Sequence, residues 1–235
     1  MSIVTRRPAL FDAPGVALLD SPNVVRRGYM KLLLATGNQG KVREFRELLA
    51  GCPVELVASP DTGLRVEVEE SGATYAENAR LKASAWSKAS GLLSLADDSG
   101  LEVAALGGEP GVRSARYAGE GASDTERVSY LLEKLRDVPE GHRQAAFRCV
   151  IAISCPDGAG YLCEGRCDGV IDLEPRGVNG FGYDPVFFFP ELGKTMAELP
   201  SEVKNRISHR ARAASRARVI LERLAGKEAH GAGCP

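Results

Sequence analysis

The sequence lacks the marks of several protein classes. It has no apolar run near the roughly 18 residues that a membrane-spanning helix needs, and no membrane partner is expected. It has no excess of charge: 30 Lys and Arg stand against 31 Asp and Glu, a formal net charge of -1. Without an overall basic field, direct nucleic-acid binding is not expected, while a small anionic ligand remains open. The six cysteines, Cys52, Cys149, Cys155, Cys163, Cys167 and Cys234, form no CxxC pair. A chain of this length needs no disulfide staples, so they read as reduced thiols in a cytoplasmic protein. The spacing of Cys163 and Cys167 makes a poor zinc site. Arg26-Arg27 is followed by a short apolar segment, Leu32 to Ala35, well below a secretory core of about 7 to 15 residues.

What is present is an ordinary globular balance, 44% hydrophobic and 26% charged over 235 residues. Residues 1–29 carry Pro8, Pro14, Pro22 and two arginine pairs without a sustained period. This predicts a flexible N-terminal extension, with Met30 the candidate initiator. From Lys31 strands and helices alternate. Leu32 to Ala35 reads as a buried strand, and Gln39 to Ala50 as a helix with Val42, Phe45, Leu48 and Leu49 on one side and Gly51 as its stop. Thr74-Tyr75-Ala76-Glu77 and Ser123-Asp124-Thr125-Glu126 are capping boxes. They predict helices closing near Gly91 and before Pro139. A strand is expected over Leu92 to Ala96, a hairpin over Gln144 to Ser154 and Tyr161 to Asp168, and a last helix over about His209 to Ala225. The class is α/β, with the folded domain at 30–227 and a disordered tail at 228–235.

Four regions carry candidate chemistry. Thr36-Gly37-Asn38-Gln39-Gly40-Lys41 falls where a strand gives way to a helix, a place where free amides attract anions. Gly37 and Gly40 would admit a phosphate to the backbone and Lys41 would add charge, but the spacing is too short for a Walker A loop. An ordinary turn with a surface lysine has the same pattern. Asp97-Asp98-Ser99 follows a buried strand, the ligand end of α/β folds. Together with Glu69-Glu70 it offers hard oxygen ligands of the kind magnesium takes beside phosphates, and Asn78 and Lys82, four residues apart on one helix face, would let Lys82 point toward the carboxylates or the phosphates. Solvated turns and a salt bridge without function are the competing readings. Gly180-Phe181-Gly182-Tyr183-Asp184 can stack a base and offer backbone groups to its edge, or form a tight turn with core aromatics. Lys204-Asn205-Arg206-Ile207-Ser208-His209-Arg210 suits phosphate or base contacts, or a solvated face.

Taken in order, Thr36 to Lys41, Ala96-Asp97-Asp98-Ser99-Gly100, Phe181-Gly182-Tyr183-Asp184 and Ser208-His209-Arg210 resemble the inosine/xanthosine triphosphate pyrophosphatase family. The resemblance extends over about residues 32 to 225. It implies an elongated α/β fold of two lobes, with a central mixed β-sheet, helices on its faces, a ligand cleft between the lobes, and a homodimer. It also implies magnesium-dependent hydrolysis of deaminated purine nucleotides (ITP, dITP, XTP) to the monophosphate and pyrophosphate. Carried over by motif, Thr36, Gly37, Asn38, Gln39, Gly40 and Lys41 would hold the triphosphate. Asp98 would be proton acceptor and metal ligand, completed by Glu69 or Glu70. Lys82 would offset phosphate charge, and Ser99 would touch substrate. Phe181, Gly182, Tyr183, Asp184, Lys204, His209 and Arg210 would bind the nucleotide. A pyrophosphatase for pyrimidine or modified nucleotides and a non-catalytic nucleotide sensor are the alternatives.

Overall fold

The computed structural model describes residues 29–229. Of the expected extension at 1–29 and tail at 228–235, residues 1–28 and 230–235 lie outside the described residues, and positions 228 and 229 belong to the last helix. Strand β1 (Met30–Leu34), helix α1 (Gln39–Leu48) and strand β2 (Val54–Ala58) open the fold. Leu32, Leu33 and Leu34 are all buried, as a parallel strand covered on both faces requires. Helix α1 begins where it does because the Asn38 side chain accepts the Lys41 amide at 3.1 Å. Helix α2 (Tyr75–Ser90) carries the expected capping box at Thr74 and Glu77, and stops at a left-handed Gly91.

Strand β3 (Leu93–Val103) is longer than the expected Leu92 to Ala96. Strand β4 (Gln144–Ser154) pairs with it antiparallel from Ser94↔Ser154 to Val103↔Ala145. Asp97, Asp98 and Ser99 therefore lie within a strand rather than in a loop after one. Their polarity hid this, because the strand is paired through a stretch where the sequence turns acidic. Helix α3 (Asp124–Lys134) and the hairpin of β4 with β5 (Gly160–Ile171) follow as expected. With β6 (Phe187–Phe189) and β7 (Lys194–Thr195) the sheet has seven strands in the order β2-β1-β3-β4-β5-β6-β7. It is mixed: β2, β1 and β3 are parallel, the rest antiparallel. Helices α4 (Ser201–Ile207) and α5 (His209–Ala229) break at Ser208, whose hydroxyl accepts the Ala211 amide at 3.2 Å. Lys204 thus sits on one helix and His209-Arg210 on the next.

Strand alternation sorts the core into layers. Leu32, Leu34, Leu95, Cys149, Ile151 and Ile153 pack with apolar residues of α1 and α5, whereas Leu33, Ala96, Val150 and Ala152 pack with α2. A third cluster joins Val128 and Leu131 of α3, and Leu135 at its C-cap, to Phe147 and Phe187. The parallel pairing of β1 with β3 ends at Leu34↔Leu95. There β1 turns off into α1 while β3 runs on, leaving an opening at the carboxyl end of β1, where α/β folds bind ligands.

Cys52, Cys149, Cys163 and Cys167 are buried free thiols, but Cys155 is disulfide-bonded. Cys155 is therefore not one of the reduced thiols that the absence of a CxxC pair leads one to expect. Among the described residues no helix is long and apolar enough to cross a membrane.

Candidate active site

A cavity of about 850 Å³ occupies that opening, a size typical of small-molecule sites. Thr36, Gly37, Asn38 and Lys41 line it, with Glu70, Lys82, Asp98 and Ser99, the whole of Phe181 to Asp184, and Lys204, His209 and Arg210. Three expected residues do not line it. Gln39 and Glu69 are exposed, and Gly40 is buried beneath Phe181.

Because strand neighbours face opposite ways, Asp97 and Asp98 enter different surroundings. Asp97 is buried toward α1 and α5. Its Oδ2 accepts from Arg210 at 2.9 and 3.2 Å, and its Oδ1 faces the Lys41 ammonium at 3.0 Å. Burial alone would raise the Asp97 pKa, but Lys41, Arg210 and Lys82 hold it well below the usual carboxylate range. Arg210 also reaches Glu44 at 2.7 Å and the Ser99 hydroxyl at 2.9 Å. Glu44 in turn pairs with Lys204 at 2.7 Å, and Lys204 pairs with Asp184 at 2.5 Å. Cations and carboxylates therefore alternate from Lys41 through Asp97, Arg210, Glu44 and Lys204 to Asp184, which is what allows so much charge to be buried.

This chain of charges fixes an aromatic wall. Lys204 and Arg210 lie 5.2 and 5.5 Å from the centre of the Phe181 ring. Asp184 accepts the Phe181 amide at 2.9 Å, and Asp124 accepts the Gly182 amide at 2.7 Å. A Cβ on Gly40 would come within 2.6 Å of the Phe181 ring, so the missing side chain makes room for it. Tyr183 is buried and donates its hydroxyl proton to the Ser114 carbonyl at 2.9 Å. It locks the loop, while the half-buried Phe181 ring lines the cavity. His209 is buried and stacked on Phe147, with centroids 4.6 Å apart. Burial, then Arg210 and Lys204, push its pKa well below 6.5, so the ring is neutral.

On the opposite face of β3, Asp98 accepts from Asn78 at 3.3 Å and pairs with Lys82 at 3.4 Å, while Lys82 also holds Glu70 at 3.0 Å. Burial raises the Asp98 pKa. Burial would lower that of Lys82, but Asp98, Asp97 and Glu70 outweigh it and hold it above its ordinary value. The strap from Arg65 to Glu70 alternates like a strand, with Val66, Val68 and Glu70 half-buried and Arg65, Glu67 and Glu69 exposed. That periodicity selects Glu70 over Glu69 as the inward acid. Among the described residues, no group of three or more His, Cys, Asp or Glu is arranged to hold a metal. Glu70 and Asp98 nevertheless converge on a single cation, the Lys82 ammonium. Two carboxylates completed by substrate phosphates and water are a usual magnesium donor set, so these residues fit that ion.

Sequence reasoning missed the roles of Asp97, Glu44, Asp124 and Ser114. Glu44 follows Lys41 by three residues on one helix face, a usable signal. Asp124 reads only as part of a capping box, and Ser114 falls in a run, Pro110 to Tyr117, that resembles the family without pointing to a role for the serine.

A family model described as the Ham1 family matches residues 32–219. The chain belongs to the Ham1 family. Among its Ham1 relatives, a dITP/XTP pyrophosphatase of Desulforamulus reducens is 53% identical over 195 residues, covering 83% of this chain and 97% of the relative. A dITP/XTP pyrophosphatase of Thermus thermophilus is 54% identical over 193 residues, covering 82% of this chain and 91% of the relative. The solved structure of a HAM1 protein from Coxiella burnetii matches with a TM-score of 0.75 at 42% identity, covering 83% of this chain and 99% of the other. The family is the one that the four ordered motifs resemble, and the α/β fold with its mixed sheet agrees with it.

Proposed function

We propose that this chain is a house-cleaning nucleoside triphosphate pyrophosphatase. It hydrolyses deaminated purine nucleotides, ITP, dITP and XTP, to the monophosphate and pyrophosphate and so keeps them out of DNA and RNA. The observation that carries this reading is the convergence on one cavity of a helix-capping turn, a carboxylate–lysine cluster and a cation-backed aromatic wall. The names of the relatives at about half identity support the substrate class. Mg2+ as cofactor, a homodimer and a cytoplasmic location belong to the same proposal.

In this reading the triphosphate lies along Thr36 to Lys41, with the N-terminal amides of α1 and the lysines Lys41 and Lys82 offsetting its charge. The base rests against Phe181, beside Lys204, His209 and Arg210. Asp98 accepts a proton from a water whose oxygen bonds to phosphorus as the anhydride bond between the α- and β-phosphates breaks and pyrophosphate leaves. A divalent ion held by Asp98 and Glu70 would supply charge neutralisation at the phosphates. Lysine and arginine are donors only, so a 6-oxo group suits this wall. The 6-amino group of ATP meets it donor to donor, at about 1 to 3 kcal/mol for each unpaired buried donor.

The test is pyrophosphate release from dITP, XTP, ITP, GTP and ATP with and without magnesium. The expectation is preference for the first three, dependence on the metal, and loss of about 10²- to 10⁴-fold in Asp98→Asn with folding retained. Near-normal turnover by that variant would remove Asp98 from the chemistry, and tight dITP binding without pyrophosphate release would favour a sensor.

A further inference from the structure

Helix α2, which covers the reactive face of β3, carries a buried polar side chain beside Asp98 that the proposed reaction does not itself use. Asn78 on α2 is 1% exposed. Its Oδ1 accepts the Gly72 amide at 2.8 Å, and its Nδ2 donates to the Gly72 carbonyl and to Asp98 Oδ2, both at 3.3 Å. One side-chain amide thus grips both backbone groups of a single residue and touches the proposed proton acceptor. Asn is a poorer helix former than Ala, so helix stability alone does not explain its place in α2. The fit on the other side is equally close. A Cβ on residue 72 would come within 2.7 Å of Asn78 Oδ1, so glycine there lets the amide dock.

Gly72 ends the strap that carries Glu70. Residues 63–72 belong to no strand or helix, so the sheet does not set the position of Glu70. Besides the Lys82 ion pair, the Glu70 carbonyl accepts a long contact from Arg116 at 3.5 Å. The Asn78 amide is the short, doubly bonded anchor, two residues from Glu70, on the helix that also bears Lys82.

We propose that Asn78 is a positioning residue. By clamping Gly72 and Asp98 together, it sets the separation between the Glu70 strap and the Asp98 carboxylate. The inference rests on the proposed pyrophosphatase reading for its kinetic consequence but not for its structural one. Residues that orient ligating side chains typically change metal affinity or activity by about 10- to 100-fold when removed.

The experiment compares Asn78→Ala and Asn78→Asp with the wild-type chain by amide hydrogen exchange, by Mn2+ titration of the substrate-free protein, and by steady-state kinetics on dITP. Asn78→Ala should speed exchange at Gly72 and its neighbours, weaken Mn2+ binding by about 10- to 100-fold, and lower kcat by a similar factor while KM moves less than about threefold. Asn78→Asp keeps the acceptor for the Gly72 amide but loses the donor to both the Gly72 carbonyl and Asp98, and sets a second carboxylate against Asp98. It should therefore retain slow exchange at Gly72 and still lose kcat. Wild-type exchange and wild-type Mn2+ affinity in Asn78→Ala, or wild-type kcat in either variant, would overturn the proposal. A wild-type chain inactive on dITP would instead sink the pyrophosphatase reading, and the exchange and Mn2+ measurements would then decide this inference by themselves.

Discussion

Replacing Asp97 with Asn removes one negative charge from a place where two cations depend on it. Arg210 is 2% exposed and donates twice to Asp97, and Lys41 lies 3.0 Å from its other oxygen. Breaking a buried ion pair from one side costs about 3 to 5 kcal/mol, mostly because the partner charge stays behind. Asn keeps the shape and one acceptor, and Glu44 still holds Arg210, so the lower end, about 3 kcal/mol, is expected. For a chain of this size that corresponds to a fall in Tm of roughly 6 to 12 °C. The pH dependence gives a second check. The folded-state pKa of Asp97 is depressed, so its contribution is fully present above the unfolded value near 3.8 and is lost as pH falls through the folded value. The Tm gap between wild type and Asp97→Asn should be flat from about pH 8 to pH 5 and narrow only below about pH 4. Calorimetric melts across that range supply both numbers. A gap under about 2 °C at pH 7, or one that closes near pH 6, would refute the assignment of this stability to the Asp97 charge.

Other substitutions probe the cavity. Gly40→Ala has to displace Phe181 and should cost about 1 to 3 kcal/mol and raise the KM for dITP roughly tenfold, whereas a Cβ on Gly37 meets nothing within 4 Å, so Gly37→Ala should leave Tm unchanged; paired melts and kinetics distinguish them. Glu70→Gln should raise the magnesium concentration needed for half-maximal rate by about 10- to 100-fold, while Glu69→Gln should behave as wild type in the same titration. Tyr183→Phe loses the bond to the Ser114 carbonyl and should lower stability by about 1 kcal/mol in a denaturant melt.

Much of this architecture is legible in the sequence because it is locally determined. The caps at Asn38, Thr74 and Ser123 start helices where their side chains satisfy free amides, and the turn between β4 and β5 is set by its own residues. Thr36 to Lys41 and Ser208-His209-Arg210 are legible for a related reason: short runs at strand and helix ends bring their backbone with them. What resists reading is tertiary. Nothing near Asp97 says that β4 will carry the strand past it, and so separate two neighbouring acids onto opposite faces. Glu44 and Arg210 are far apart in the chain, and their meeting depends on how α1 and α5 pack on one side of the sheet. The choice between Glu69 and Glu70 was present in the alternation of the strap, but without a neighbouring strand that segment gives no reason to expect extended structure.

The peptide unit between Asp97 and Asp98 determines how errors propagate. One shoulder of that unit is tethered to the residues that would hold the purine, the other to those that would sever the phosphate chain, and no loop intervenes to absorb slack. A change that lets Arg210 drift will therefore be felt in turnover as well as in discrimination. Engineering the two traits separately would require adding compliance where the strand now behaves as a splint.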